Sequence, residues 1–269
     1  MTTFQKVIKY LALAFAIFLS ISIISGILQA FVALPNYFGK TPTGEMKAYT
    51  FKTNFTELKT DLTASNLEIK TGDSFKVESN LKYLDCREDG NCLIIKETKK
   101  LNPGRWKNIQ LTLTVPEGTV FSQADIDTGA GEVSIEKLAA DSLSLTLGAG
   151  ELQGKELIAN NAAKIDGGAG SITITDCSLH NADIDMGIGE LHYTGTLTGN
   201  SKVDYGVGET NLTLTGSEKD YQIILDKGVG DAIVNGMSMG DNSTYGNGVN
   251  RIEVDGGVGD LNIMFQSGF

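Results

Sequence analysis

Two sets of acidic residues recur at fixed distances from paired glycines in the second half of this 269-residue sequence. The first set stands two residues before each glycine pair and comprises Asp127, Asp166, Asp185, Asp204, Asp226 and Asp255. The second set directly follows each pair and comprises Glu132, Glu151, Glu190, Glu209, Asp231 and Asp260. Thr146 and Ser171 replace the acid in one repeat each. Carboxylates repeated in this way can hold cations or accept hydrogen bonds from backbone N–H groups.

Carboxylates stacked about 5 Å apart repel one another, so another interaction must offset that repulsion. One hypothesis is that each aspartate accepts a hydrogen bond from the backbone of the adjacent glycine turn. The other is a row of bound cations, as in glycine- and aspartate-rich calcium repeats, although those repeat every nine residues. The glycine pairs here recur at about 19 residues, so no metal site and no cofactor is assigned.

The cysteines and histidines offer little further chemistry. Cys86 and Cys92 are a candidate disulfide in an extracytoplasmic protein. A two-residue turn at Asp89-Gly90 would place these cysteines on opposite faces of a hairpin, whereas a longer loop would bring them together. Cys177 aligns with apolar positions of neighbouring repeats and is predicted to be a buried thiol. His180 and His192 lack metal-ligand spacing and are predicted to lie on the surface.

No catalytic residue is predicted. The acids form regular rows rather than a cleft with two unequal environments. A β-helix enzyme that acts on polysaccharide is therefore the less favoured alternative to a non-enzymatic protein. The net charge of −11 also argues against a nucleic-acid partner.

These acids belong to a seven-residue segment that occurs seven times and aligns without gaps. Each segment begins with an aliphatic residue and two variable residues. A glycine, a small or aliphatic residue, a second glycine, and an acid or serine follow in that order. Their paired glycines are predicted to form structural corners. They are Gly129 and Gly131, Gly148 and Gly150, Gly168 and Gly170, Gly187 and Gly189, Gly206 and Gly208, Gly228 and Gly230, and Gly257 and Gly259.

Apolar residues alternate with period two on both sides of each glycine pair, which indicates strands. The alternation shifts by one residue across the pair, so a straight strand would turn its apolar side outward there. A corner at the second glycine corrects the shift. Each repeat is too short to bury a face alone, so residues 120–269 are predicted to form a single-stranded β-solenoid (β-helix) of about seven coils.

Residues 48–119 carry a different pattern, with short alternating segments and hairpin signals at Thr71-Gly72-Asp73 and Asp89-Gly90. They predict an antiparallel β meander that caps the N-terminal side of the solenoid. The stretch from Met237 to Asn250 predicts a hairpin near the other end. The complete fold is therefore expected to be all-β, preceded by one transmembrane α-helix.

That helix is predicted at residues 11–34, which are rich in Leu, Ile, Ala and Phe and carry no charge. Lys6 and Lys9 favour a cytoplasmic N-terminus, so residues 1–35 form a stub and signal-anchor. Residues 36–47 form a linker, and the bulk of the chain is extracytoplasmic. A cleaved signal peptide is the alternative, but the apolar run is longer than such peptides have.

The glycine corners, the Thr244–Gly248 segment and the N-terminal apolar run together resemble the bacterial Toastrack family of candidate adhesins over about residues 50–265. The resemblance implies a β-solenoid outside the membrane, linked to envelope stress and surface interactions, and it supplies no catalytic residues. We therefore expect a binding or envelope-stress-sensing module at the cell surface, with an envelope protein or polymer as partner. A structural or adhesive surface protein without a signalling role is the alternative.

Overall fold

The computed structural model describes residues 43–98 and 109–267, all within one of the two compact units into which the chain divides. The predicted signal-anchor at residues 11–34 lies outside these ranges. Within them, no helix has the length and apolar character that crossing a bilayer requires. The described chain is all-β, as predicted, with one 3-10 turn at Glu218–Asp220.

The strands of the first half are β1 Thr43–Thr50, β2 Glu57–Ala64, β3 Asn66–Gly72, β4 Lys76–Leu81, β5 Leu84–Asp89, β6 Cys92–Glu97 and β7 Gln110–Pro116. The strands of the second half are β8 Val120–Ile135, β9 Leu138–Lys155, β10 Leu157–His180, β11 Ala182–Thr198, β12 Asn200–Thr215, β13 Tyr221–Asp226, β14 Ala232–Val234, β15 Met237–Ser238, β16 Ser243–Gly246 and β17 Asn250–Gln266.

The long strands β8 to β12 stack in parallel as successive coils, which confirms the solenoid-like arrangement of the repeats. Residues at equivalent repeat positions pair directly, so that Leu145 lies between Ile126 and Ile165. Equivalent aliphatic residues from every coil thus form one continuous buried core. Burial of these side chains is the main stabilising term of the fold.

Each long strand bends at its glycine pair, where the buried positions change parity as predicted. In β9, Leu145 and Leu147 are buried before the corner and Leu152 after it. A Cβ on Gly148 would lie 2.4 Å from the carbonyl oxygen of Gly129 in the preceding coil. At Gly150 the corresponding distance to the Gly131 oxygen is 1.9 Å, and its φ is +133°. Glycine is required here because the backbones of adjacent coils nearly touch.

The coils at the C-terminal end do not stack in sequence order. The last strand, β17, pairs with β12 on one side and with β13 and β14 on the other. The corner at Gly257 therefore lies between the corners at Gly206 and Gly228. The physical reason is protection of the exposed edge. Strand β17 is long and continuous, whereas β13 and β14 are short strands that leave fewer unpaired backbone groups at the end of the stack.

The insertion between β14 and β17 covers that end, but it does not form a simple hairpin. Strand β15 pairs antiparallel with β14, and β16 pairs antiparallel with β13. The Tyr245 ring stacks on Phe265 with ring centroids 6.0 Å apart, and its hydroxyl donates to Glu218 Oε2 at 2.8 Å. These contacts hold the insertion against β17 and the 3-10 turn.

The segment predicted to be an antiparallel cap contains two further parallel layers, which corrects that expectation. Strands β2 and β3 pair in parallel with β8, and β6 and β7 pair in parallel with β2 and β3. Only β1, β4 and β5 among the described strands of this segment pair solely antiparallel.

The innermost of these two layers turns at Thr63, Ala64 and Ser65, a corner without glycine. Its inner side contacts the first glycine corner, where a Cβ on Gly131 would lie 2.3 Å from the Ser65 oxygen. On its outer side the Glu97 carboxylate accepts a hydrogen bond from the Thr63 N–H at 2.9 Å. Side chains are tolerated at this corner because a side chain, rather than another corner's backbone, faces it.

The candidate disulfide is not formed, and both thiols are free. Strands β5 and β6 are joined by the two-residue turn Gly90-Asn91, so Cys92 lies opposite Asp89 and Cys86 opposite Ile95. The cysteines are therefore on opposite faces of the hairpin, and in-register pairing keeps their sulfur atoms apart. Burial raises the pKa of the Cys86 thiol to about 12.

Candidate functional site

The most regular surface of the described chain runs along the glycine corners. We call it the corner ridge and define it by the seven residues between the paired glycines. In order of stacking they are Ala130, Ala149, Ala169, Ile188, Val207, Val258 and Val229. In contrast to the aliphatic residues that flank the corners, these side chains point outward and are half-buried or exposed.

The ridge is not uniform along its length. Its N-terminal part consists of alanines, and its C-terminal part consists of larger aliphatic residues from Ile188 to Val229. Val229 ends the ridge and is 38% exposed. The bulky part therefore spans the last four corners, which carry most of the acidic residues. The sequence showed the small or aliphatic character of these positions, but their outward direction became evident only from the corner geometry.

The aspartate row runs along one side of the ridge. Register pairing places five aspartates in consecutive coils without interruption: Asp166, Asp185, Asp204, Asp255 and Asp226. Neighbouring members are separated by one coil, which is about 4.8 Å in a β-ladder. Such a row concentrates negative charge along a line.

Lysines two residues earlier in the same strand offset part of this charge. Lys164 Nζ lies 3.8 Å from Asp166, and Lys202 Nζ lies 2.6 Å from Asp204. Asp185 has Asp183 at the equivalent position. Partial burial and the charges of Asp166, Asp204 and Asp183 raise the pKa of the Asp185 carboxyl. The row therefore retains unbalanced repulsion at Asp185.

The glutamate row follows the other side of the ridge. Glu190 pairs in register with Glu209, and Glu209 pairs with Asp260. Neutral or weakly basic partners accompany these acids. His192 Nε2 lies 3.5 Å from Glu190, and Asn211 donates a hydrogen bond to Glu209 at 2.7 Å. The ridge is thus an aliphatic line bordered on both sides by carboxylates.

The two hypotheses for the acidic rows fare differently. Asp226 accepts a backbone hydrogen bond from Gly228, as the corner hypothesis predicts. Asp166 and Asp204 instead face lysines, and Asp204 Oδ1 is a buried atom without a hydrogen-bond partner among the described residues. Within residues 43–98 and 109–267, no three His, Cys, Asp or Glu side chains converge in a way that could hold a metal ion.

The remaining candidate groups lie away from the ridge or serve the core. Cys177 is buried, as predicted; its thiol donates to the Thr175 oxygen at 2.9 Å, and burial raises its pKa to about 12. His180 ends strand β10, and its Nδ1 lies 2.9 Å from the hydroxyl of Thr198 at the end of β11.

Surface hollows are also present among the described residues. A polar one of about 480 Å³ is lined by Asn200, Ser201, Lys202, Arg251 and Glu253. A smaller apolar one of about 200 Å³ lies near Pro116 and Val120. The lysine and arginine of the first hollow each pair with an acid in their own strand, so neither presents a free cation.

Comparisons with known proteins agree with the sequence resemblance. A family model described as Toastrack DUF4097 matches residues 55–248, which is more than half of the chain. The match ends before β17, the strand that lies within the stack. No protein of curated function matches the sequence.

Solved structures of low sequence identity also match. A candidate adhesin from Bacteroides fragilis is 12% identical with a TM-score of 0.43, and the match covers 84% of this chain and 100% of that protein. A candidate cell adhesion protein from Clostridium sporogenes is 16% identical with a TM-score of 0.37, covering 82% and 99%. A candidate lipid-binding protein from Parabacteroides distasonis is 15% identical with a TM-score of 0.35, covering 84% and 96%.

Proposed function

Because this chain belongs to the Toastrack family (DUF4097), we propose that it is a non-enzymatic binding module at the bacterial cell surface. The corner ridge is the observation that carries this proposal. It is partly exposed, follows seven stacked corners, and presents a small or aliphatic residue at each coil. A surface of this kind can contact a long or repetitive partner at many equivalent points.

The parallel ladder makes this surface rigid. Each coil is hydrogen-bonded to its neighbours over most of its length, and the glycine corners lock the backbones at close approach. A rigid binding face loses little conformational entropy when a partner binds. The fold therefore favours recognition by a fixed surface over closure around a ligand.

Residues 11–34 are proposed to anchor this module, with residues 1–10 in the cytoplasm and the β-structure outside. The support is the uncharged apolar run preceded by Lys6 and Lys9. Protease treatment of intact cells tests the arrangement. Degradation of the β-structure in intact cells supports it, whereas protection until the cells are lysed contradicts it.

Envelope-stress sensing is the specific role that we propose for the bound module, on the basis of the family resemblance. An adhesive or structural role without signalling is the alternative. Deleting the gene and measuring an envelope-stress reporter separates the two. A changed reporter response supports sensing, and an unchanged response with reduced surface attachment supports the adhesive alternative.

The binding proposal itself is tested by capture from envelope fractions with the purified full-length protein in non-ionic detergent. A variant with Asp185→Asn, Asp204→Asn, Glu190→Gln and Glu209→Gln removes ridge charge and serves as the comparison. We expect saturable capture of an envelope protein or polymer by the wild-type chain and weaker capture by the variant. No saturable partner for either chain would overturn the proposal.

A further inference from the structure

We propose that the corner ridge binds extended lysine-rich polypeptide segments; this inference rests on the proposed binding function and assigns its partner a chemistry. The relevant part of the ridge runs from Ala169 through Ile188, Val207 and Val258 to Val229. Four steps of about 4.8 Å give it a length of about 19 Å.

The charge of this surface selects a cationic partner. Nine acids border these five corners, and they are Asp166, Asp185, Asp204, Asp255, Asp226, Glu190, Glu209, Asp260 and Asp231. Lys164 and Lys202 each pair with one aspartate, and the Lys227 ammonium donates to the Gly230 carbonyl oxygen instead. Most of the negative charge is therefore available to a partner. The same charge repels anionic lipid headgroups and nucleic acids.

The geometry selects a chain of cations rather than single ions. The described acids do not converge three at a time on one point, so a lone metal ion finds no cage. They lie along two lines, with one aspartate per coil in the first line and one acid in each of the last four coils in the second. An extended peptide rises about 3.3 Å per residue, so about six residues cover the length from Ala169 to Val229. Successive ammonium groups can then reach either row.

The aliphatic residues between the rows explain why lysine suits this surface. A lysine side chain has a four-carbon stem that prefers apolar contact while its ammonium group remains solvated or paired. Ile188, Val207 and Val258 are outward-facing and partly exposed, with carboxylates on both flanks. A stem can therefore lie across the ridge while its ammonium contacts the aspartate row at Asp185 or the glutamate row at Glu209.

The binding of a fluorescent octalysine peptide to the full-length protein tests this inference, with octaglutamate as the control ligand. The ridge variant carries Asp185→Asn, Asp204→Asn, Glu190→Gln and Glu209→Gln. Its matched control neutralises four exposed acids elsewhere, Glu45, Asp73, Asp89 and Glu117, and has the same net charge. We expect octalysine affinity to fall at least tenfold in the ridge variant and less than twofold in the control.

A second pair of variants tests the aliphatic contact at constant charge. Ile188→Thr with Val207→Thr makes the ridge polar, and Ile158→Thr with Ile224→Thr changes outward residues of other faces. We expect about a threefold loss of affinity for the first pair alone. Thermal unfolding of all variants confirms that they remain folded.

Four outcomes overturn the inference. Equal losses in the ridge variant and its charge-matched control would show that octalysine senses only the net charge. No difference between the two aliphatic pairs would exclude contact with the ridge. Self-association that is lost in the ridge variant would assign the face to a second copy. Saturable envelope capture without octalysine discrimination would leave the binding function standing and reject only the lysine-rich partner.

Discussion

Alanine substitutions at three glycines separate the two reasons why a corner needs glycine. Gly150 has both a φ of +133° and a backbone oxygen 1.9 Å from the position of an added Cβ. Gly148 lacks a positive φ but has an oxygen at 2.4 Å. Gly236 has a φ of +78° and no atom within 4 Å. Gly150 is therefore subject to both constraints, Gly148 to close approach alone, and Gly236 to backbone conformation alone.

The expected magnitudes follow from these distances. Ordinary contact begins at 3.4 Å, so the neighbouring oxygen must retreat by about 1.5 Å at Gly150 and about 1 Å at Gly148. Overpacking of this kind costs about 1–3 kcal/mol in proteins. The left-handed conformation costs alanine about 1–2 kcal/mol, part of which is offset by a stiffer unfolded chain. We expect losses of about 2 kcal/mol for Gly148→Ala, about 1 for Gly236→Ala, and about 4 for Gly150→Ala.

Thermal unfolding followed by far-UV circular dichroism measures these losses in the full-length protein in detergent. At about 2–4 °C per kcal/mol, Gly150→Ala should lower Tm by about 8–16 °C. Equal Tm values for Gly150→Ala and Gly236→Ala would show that φ alone selects glycine. A Gly148→Ala variant as stable as the wild type would refute the claim that adjacent corners are in tight contact.

Three further predictions concern charge, stacking order and thiols. Asp185→Asn should raise Tm by about 1–3 °C at neutral pH, since like charges across strands cost about 0.2–1 kcal/mol. The folded-state pKa of Asp185 is raised, so ionisation of this carboxyl destabilises the fold above that pKa. The gain in Tm should therefore vanish in acid, where the wild-type carboxyl becomes protonated. Ending the chain after Val249 removes β17 and should expose β13 and β14 to limited proteolysis, whereas unchanged protection would contradict their pairing with β17. Reductant should leave Tm unchanged because Cys86 and Cys92 are free, and a reductant-dependent decrease would indicate a disulfide.

The sequence predicted the corners at which only glycine fits. Glycine is needed where the backbone of the neighbouring coil approaches, so the seven glycine pairs marked their corners in the sequence. The corner at Thr63, Ala64 and Ser65 carried no such mark, because the Glu97 carboxylate rather than another corner's backbone faces it. The sequence therefore predicted a separate antiparallel cap where the structure has two more parallel layers.

The order in which the C-terminal strands stack could not be predicted from the sequence either. The repeats around Gly206, Gly228 and Gly257 have equivalent patterns, and each would fit beside β12. Their order depends on how the insertion between β14 and β17 returns the chain, which is a long-range property. The sequence predicted that the acids form rows, but it did not predict how many aspartates are consecutive. That number depends on the stacking order, because β17 places Asp255 between Asp204 and Asp226.

The inner position of β17 has a kinetic consequence. During synthesis, β13 and β14 emerge before β17, at a time when the edge of β12 that β17 later occupies has no neighbour. Any pairing of β13 with β12 in that interval has to be released before β17 can occupy its place. Maturation of this end therefore waits for the complete chain, and non-native pairing during that interval is a route to aggregation.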